Sequence, residues 1–189
     1  MKNIIKAKIE ESIEVKEVLH ETQAENIEKA ARLIISSLKN GGKVLLFGNG
    51  GSAADSQHMA AELVGRFKKE RRALAAIALT TNTSILTAIA NDYGYDVVFS
   101  RQIEALGKTG DVAMGLSTSG NSKNVFAALE KARSMGLKTI GLTGAAGSAM
   151  KNICDALITV ASKNTPRIQE LHVLIGHIIC ELVEGEMFK

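Results

Sequence analysis

The stretch KVLLFGNGGSAADSQHMAAEL, residues 43–63, decides the fold, because an apolar strand passes through a glycine turn directly into a helix. The run KVLLF (43–47) is apolar without alternation, which is typical of a strand covered on both faces. Similar apolar runs follow at ALAAIAL (73–79), DVAMGL (111–116), KTIGLT (138–143) and ALITV (156–160). Helical patterns separate or follow them at 53–67, 83–90, 97–106, 122–135 and 166–187. This order predicts an α/β protein, a three-layer α/β/α sandwich around a five-stranded parallel sheet.

The segment before the first strand is predicted to be helical. Residues 2–38 contain no glycine and no proline, and apolar residues recur at every third or fourth position. This spacing predicts two amphipathic helices, the second of which covers residues 24–38 and ends at the glycines that follow. The helices either pack on the core of their own sheet or bury their apolar faces against another subunit, and both interpretations stay open.

Length and composition exclude several classes of protein. The 189 residues are expected to form one domain, with N-terminal helices in 1–40 and an α/β core in 41–189. The net charge of +3 and the absence of tryptophan give no argument for nucleic-acid binding. Two cysteines are too few for a disulfide scaffold or an all-cysteine zinc site. With no apolar run of ~18 residues and no signal-peptide pattern, we expect a cytoplasmic protein without membrane contact.

Two loops at the carboxyl ends of predicted strands are candidate ligand sites, since ligands bind at this edge of open parallel sheets. The glycine loop, GNGGS, combines a close-approaching backbone with a helix N-terminus that attracts anions. It lacks the Walker and dinucleotide-binding patterns, and a glycine turn without a ligand is also common.

The second loop, LSTSGNSKN, is rich in hydroxyl groups, which are carried by Ser117, Thr118, Ser119 and Ser122. Hydroxyl groups at a helix N-terminus predict a site for a phosphate monoester. The alternative is a solvated turn in which a serine or asparagine caps the helix. We call residues 116–124 the serine loop below.

A third group of residues has the chemistry of a metal site. His58 and Glu62 are four residues apart on one helix face, and the last helix carries Gln169 and His177 in an apolar stretch. Imidazole, carboxylate and amide groups suit a borderline metal ion. The alternatives are an exposed i,i+4 pair and a core histidine. Gln169 and His177 lie ~12 Å apart along one helix, so a shared ion requires inward-leaning side chains or helices from different subunits.

Four separated stretches resemble the sugar isomerase (SIS) family, and within it the phosphoheptose isomerases. They are GNGGSAADSQHMAAEL, AIANDYGYD, LSTSGNS and the RIQELH run that leads to His177. The resemblance covers essentially the whole chain. It implies a flavodoxin-like SIS fold and conversion of D-sedoheptulose 7-phosphate into D-glycero-D-manno-heptose 7-phosphate, the first step towards nucleotide-activated heptose for bacterial surface polysaccharide. It also implies one zinc ion per subunit and a homotetramer with active sites between subunits.

The resemblance further implies the roles of individual residues. Glu62 and His177 are the expected acid and base, and they join His58 and Gln169 as expected zinc ligands. The expected substrate contacts are Asn49, Gly50, Gly51, Ser52, Glu62, Arg66, Asn91, Asp92, Ser117, Thr118, Ser119, Ser122 and Gln169. Whether the zinc is catalytic or structural stays open, because a metal-bound Glu62 is a poorer base. The segment TGAAGSAM (143–150) departs from the resemblance, since relatives often have more glycine there.

Two alternatives to this enzyme stay open at the level of sequence. One is a non-enzymatic SIS regulator that binds the bacterial replication initiator. Such relatives lose the glutamate or the last histidine of the metal group, so the presence of Glu62 and His177 favours the enzyme. The other is an isomerase or sensor of a different sugar phosphate, because recognition of a phosphate does not report the length of the carbon chain.

Overall fold

The computed structural model describes residues 1–145 and 147–189. The strands are β1 (Val44–Gly48), β2 (Ala76–Ala78), β3 (Val112–Ser117), β4 (Lys138–Gly144) and β5 (Ala156–Val160). The helices are α1 (Lys2–Lys39), α2 (Gly51–Val64), α3 (Thr83–Tyr93), α4 (Val98–Leu106), α5 (Lys123–Ser134) and α6 (Thr165–Met187), with 3₁₀ turns at Tyr95–Val97 and Gly147–Asn152. None of the helices in these residues combines the length and the apolar character needed to cross a membrane.

The strands form one parallel sheet in the order β2-β1-β3-β4-β5. This order is that of flavodoxin-like folds, and it confirms the predicted fold class. β1 is flanked by β2 on one side and β3 on the other, so the direction of winding reverses between β1 and β3. The loops after β1 and β3 therefore meet at the crevice where this fold binds ligands.

The sheet separates two apolar cores, which is why its strands are apolar on both faces. Leu46 of β1 packs into the core that α1, α2 and α6 cover. Its neighbour Phe47 points to the opposite side, where Phe99 of α4 and Leu129 of α5 complete the second core. Successive side chains of a strand point to opposite faces, so a buried parallel strand must be apolar at every position.

The N-terminal segment differs from the prediction, because α1 is one continuous helix rather than two. No glycine or proline interrupts it, and Leu19, Ile27 and Ile34 continue a single buried face through the predicted break. The helix ends at Lys39, with Asn40 as its C-cap, directly before the predicted glycine stop. The later part of α1 packs on α6 and β5, whereas the isoleucines of its first turns are exposed.

β2 is shorter than the apolar run that predicted it. The run covers residues 73–79, but only Ala76–Ala78 pair with β1. The backbone N–H of Leu74 donates to the carbonyl of Leu63 at the end of α2 instead of joining the sheet. The first residues of the run therefore belong to the loop before β2, and β2 itself is a short edge strand.

Candidate functional site

The glycine loop follows β1 and leads directly into α2. Gly50 has φ +56° and precedes the first residue of the helix. Gly51 lies against the amide of Gln169, where an added Cβ would come within 2.2 Å of Nε2. Ser52 is buried, and its carbonyl accepts a hydrogen bond from the hydroxyl of Ser56. A side chain at position 51 would therefore have to displace the amide of Gln169 from the glycine loop.

Asn49, the first residue of the glycine loop after the strand, is fixed by two side chains. Its amide exchanges two hydrogen bonds of 2.9 Å with the amide of Asn124 on α5. The hydroxyl of Tyr95 donates to the Oδ1 of Asn49 over 3.3 Å. Neither Asn124 nor Tyr95 was identified from the sequence, although Tyr95 stands in the AIANDYGYD stretch of the resemblance and Asn124 in the serine loop.

The hydroxyl groups of the serine loop face one another. The Oγ of Ser117 lies 2.9 Å from that of Ser122 and 3.5 Å from that of Ser119. Ser122 precedes α5, and its hydroxyl makes no capping bond to the helix, whereas the Oγ of Ser119 accepts a hydrogen bond from the backbone N–H of Asn121 over 3.2 Å. Thr118 and Ser119 line a pocket of about 230 Å³. Lys163, from the loop before α6, lines the same pocket and contributes a positive charge to it.

The metal group predicted from sequence is largely assembled. The Nε2 of His58 lies 3.1 Å from the Oε1 of Glu62 and 3.4 Å from the Nε2 of His177. The two imidazole rings are perpendicular, with centroids 5.0 Å apart. Phe67 packs on the ring of His177 at 5.5 Å. His177 is therefore part of a half-exposed cluster with His58 rather than an isolated core histidine.

The spacing of this triad fits a metal ion. One ligand atom from each of His58, Glu62 and His177 lies within 4.8 Å of the others. Two ligands of a tetrahedral zinc ion, each about 2.0–2.1 Å from the metal, are about 3.3 Å apart. The distances from His58 to the other two atoms, 3.1 and 3.4 Å, match this value. Two imidazoles and a carboxylate also suit zinc chemically.

Gln169 does not stand beside the triad within one chain. Its amide contacts Gly51, the first residue of α2, whereas His58 comes seven residues later. Seven residues correspond to ~10 Å along a helix. Gln169 therefore lies at the glycine loop, where α2 begins, whereas His177 lies beside His58 farther along the same two helices.

The remaining predicted residues lie on exposed segments. Arg66, one turn beyond Glu62, points to Glu70, with 3.7 Å between Nε and Oε2. Asn91 donates to the carboxylate of Asp92 over 2.8 Å, and both stand at the end of α3, a helix without a buried residue. Tyr95, three residues after Asp92, contacts the glycine loop, so this end of α3 lies beside it. In the segment TGAAGSAM, residue 146 lies outside the described residues.

A buried ion pair holds the backbone behind the triad. Glu184 of α6 accepts hydrogen bonds from the backbone N–H groups of Phe67, Lys68 and Lys69 and from the Nε of Arg71. Arg71 donates in turn to the carbonyls of Glu62, Leu63 and Gly65. The side chains of Arg71 and Glu184 are only 2% and 3% exposed.

This arrangement lowers the pKa of Glu184. Burial alone raises the pKa of a carboxylate, but the three backbone donors and Arg71 outweigh it and bring the value to about 2. Glu184 is therefore ionised at neutral pH and fixes both the end of α2, which carries Glu62, and Phe67, which packs on His177. Neither member of the pair was identified from the sequence.

Comparisons with known proteins show which family this chain is similar to. The family model of the SIS domain matches residues 9–144. A phosphoheptose isomerase of Clostridium acetobutylicum is 55% identical over 190 residues, which cover 100% of this chain and 97% of that protein. One of Aquifex aeolicus is 57% identical over 95% of this chain and 94% of its own length. The solved phosphoheptose isomerase GmhA from Neisseria gonorrhoeae superposes with a TM-score of 0.92 at 45% identity, covering 97% of this chain and 98% of the other.

Proposed function

The chain belongs to the SIS domain family, and we infer that it catalyses the aldose–ketose isomerisation of phosphoheptose isomerases, the conversion of D-sedoheptulose 7-phosphate into D-glycero-D-manno-heptose 7-phosphate. The observation that carries this function is identity of 55% to such an enzyme over the full length of the chain. Non-enzymatic relatives are expected to lack one or the other of Glu62 and His177, and here both are in place and close to His58. The regulator alternative is therefore not favoured. The protein is an isomerase that acts at the entry to heptose synthesis.

The reaction moves a carbonyl from C2 to C1 of the sugar, and two side chains of the triad are suited to it. Glu62 removes a proton from C1 while O2 gains one, which gives an enediol. The same carboxylate returns its proton to C2 as O1 loses a proton and becomes the carbonyl. His177 carries the proton from O1 to O2 on the ring nitrogen that does not face the metal group, so that no proton is gained or lost overall. The residues return to their starting states after each turnover.

We propose one zinc ion per subunit, held by His58, Glu62 and His177, with Gln169 as the fourth ligand. The fit of the triad distances to tetrahedral zinc supports this assignment. When bound, the ion supplies Lewis-acid polarisation of the substrate's oxygen atoms. The protein's own contribution is to hold the three ligands together through α2, α6 and the Arg71–Glu184 pair behind them.

The phosphate end of the substrate is assigned to the serine loop. The hydroxyls of Ser117, Ser119 and Ser122 converge, and the N-terminus of α5 follows directly. Donors of this kind bind phosphate without a metal. The sugar hydroxyls are then contacted by the glycine loop, by Asn91 and Asp92, and by Arg66 once it releases Glu70.

We further propose a homotetramer with active sites between subunits. Three features of the single chain support it. Gln169 and His177 lie ~12 Å apart along one helix, so a second subunit brings Gln169 to an ion held by the triad. The first turns of α1 expose Ile4, Ile5, Ile9 and Ile13. The apolar helix α3 has no buried residue. We place the reaction in the cytoplasm, where the free thiols of Cys154 and Cys180 stay reduced.

The decisive experiment is Glu62→Gln, which keeps the size of the side chain and removes the base. We expect isomerisation of sedoheptulose 7-phosphate to fall by ~10²–10⁴-fold. Exchange of the C1 proton with deuterated water should fall equally, measured on protein whose zinc content and substrate binding have been checked. Glu130→Gln on the exposed side of α5 serves as the control and should behave as wild type. Wild-type exchange by zinc-replete Glu62→Gln would assign the base to another residue.

A further inference from the structure

One buried amide at the site has no role in the isomerisation described above. Asn124, the last residue of the serine loop and the second residue of α5, is 4% exposed, and its side chain reaches Asn49 of the glycine loop. All of its hydrogen bonds are made inside the chain, to Asn49 and to the backbone of Val125. A buried amide with this many partners fixes the groups around it, because any reorientation leaves polar atoms unpaired.

We propose that Asn124 is a positioning residue that makes Asn49 a hydrogen-bond donor only. In this arrangement Asn49 offers one N–H group to an oxygen atom of the sugar phosphate and has no free acceptor. The proposal rests on the proposed function for the identity of the ligand. Its structural part, the fixed orientation of Asn49, rests on the hydrogen bonds of the chain alone.

The orientation of the Asn124 amide is set by the backbone. The N–H of Val125 donates to the Oδ1 of Asn124 over 2.9 Å. A backbone N–H group can only donate, so the atom it faces must be the oxygen of the amide and not its nitrogen. The Nδ2 of Asn124 must then point the other way, towards Asn49.

The orientation of Asn49 follows from that of Asn124. The Oδ1 of Asn124 accepts from the Nδ2 of Asn49, and the Nδ2 of Asn124 donates to the Oδ1 of Asn49, both over 2.9 Å. A reversed Asn49 amide would place two oxygens and two NH₂ groups face to face. The pair therefore has one favourable arrangement, and the backbone of Val125 selects it.

A count of donors and acceptors gives the chemical consequence. The Oδ1 of Asn49 has two lone pairs, which take the Nδ2 of Asn124 and the hydroxyl of Tyr95. Its Nδ2 has two hydrogens, of which one is used by Asn124. Among the residues that the structure describes, nothing else accepts from this Nδ2, so one N–H group is left for a ligand. Asn49 is thus prepared to meet a carbonyl, hydroxyl or phosphate oxygen that accepts a hydrogen bond.

The amide pair also connects the two ligand loops. Asn49 follows β1, and Asn124 is the last residue of the serine loop, which leads from β3 into α5. These strands flank the point where the sheet reverses its winding. The amide pair therefore fixes the position of the Asn49 donor relative to a ligand that the serine loop binds. Such preorganised donors are effective because they need no rearrangement when the ligand binds.

The test is a double-mutant cycle with Asn124→Asp and Asn49→Ala. The aspartate keeps the bond from Val125 but has no N–H for the Oδ1 of Asn49. We expect kcat/KM for sedoheptulose 7-phosphate to fall by about 10–100-fold in Asn124→Asp alone. In the Asn49→Ala background, Asn124→Asp should lower kcat/KM by less than about 2-fold. Equal losses in both backgrounds would overturn the proposal, because Asn124 would then act independently of Asn49.

Two further variants complete the design. Asn49→Asp keeps the acceptor and removes the donor, so it should be at least as damaging as Asn49→Ala, and wild-type kcat/KM in this variant would overturn the donor-only assignment. Asn40→Asp, at the end of α1, makes the same change of charge away from the site and should leave kcat/KM unchanged.

The cycle is also measured by urea unfolding, which does not depend on activity. Coupling between positions 49 and 124 in the free energy of unfolding supports the amide pair, and strict additivity overturns it. If the wild type converts no sedoheptulose 7-phosphate, the proposed function fails, and the unfolding cycle still decides whether the pair exists.

Discussion

Glu184→Gln tests the buried carboxylate that holds the backbone behind the triad. Four donors point at the two oxygens of Glu184: Phe67 and Arg71 at Oε2, and Lys68 and Lys69 at Oε1. A glutamine has one oxygen and one NH₂ group, so two donors must face another donor. The variant also leaves Arg71 buried without its opposite charge. We therefore expect a large loss of stability although the variant only replaces one carboxylate oxygen by an NH₂ group.

The magnitude follows from the burial of the pair. Removing one partner of a buried ion pair costs about 3–5 kcal/mol of unfolding free energy. For a domain of 150–250 residues this corresponds to a decrease of about 6–20 °C in Tm. Urea unfolding at pH 7 and at one fixed protein concentration measures it, since subunit assembly makes stability depend on concentration.

The matched control is Glu181→Gln, one turn earlier on α6. Its ion pair with Lys68 has both side chains more than half exposed. Exposed pairs of this kind contribute about 0–1 kcal/mol. If Glu184→Gln costs no more than Glu181→Gln, the buried pair does not stabilise the fold and the reasoning is refuted.

The same carboxylate gives a pH dependence with a defined sign. The pKa of Glu184 is lowered from 4.5 to about 2 in the folded protein. A lowered folded-state pKa means that its stabilisation is complete above pH 4.5 and is lost as the pH falls towards 2. The difference in unfolding free energy between wild type and Glu184→Gln should therefore shrink across this range. A difference that grows on acidification would contradict the assignment.

Three further predictions concern the ligands and the assembly. His58→Ala should lose zinc that the wild type retains, and equal near-zero zinc in both by elemental analysis would contradict the metal site. Ser122→Ala should weaken binding of the sugar phosphate by ~1.5–3 kcal/mol in calorimetry; a wild type that binds the unphosphorylated sugar as tightly as the phosphate would disprove the phosphate loop. Light scattering should give four times the chain mass of 20.1 kDa, and a fully active monomer would exclude sites between subunits.

The sequence predicted the sheet well because each strand is buried on both faces. Such strands are short apolar runs, and the runs at β1, β3, β4 and β5 all form strands in the predicted order. The break in α1 was predicted wrongly because periodicity shows which side of a helix is apolar, not whether the helix is interrupted. Residues 2–38 contain no glycine or proline, and this was the better indicator of one continuous helix.

The site was predictable where its residues are neighbours on one helix or in one loop. His58 and Glu62 are four residues apart, and the serine hydroxyls fall within six residues, so sequence spacing alone groups them. Asn124 and Glu184 were missed because their partners are distant in sequence, at position 49 and at positions 67–71. One feature of the sequence indicates the role of Glu184. It stands four residues after Cys180 on the buried face of α6, where a carboxylate requires a partner.

The close packing of α2 on α6 explains why these distant residues form one site. The two helices run side by side, with Gln169 against Gly51 at one end and Glu184 against the loop after α2 at the other. Between these ends Gly176 lets the helices approach, since an added Cβ would come within 2.9 Å of Met59. The next residue is His177, which reaches His58 from that position. The triad is thus a consequence of the helix contact, and the buried pair of Arg71 and Glu184 preserves that contact at its far end.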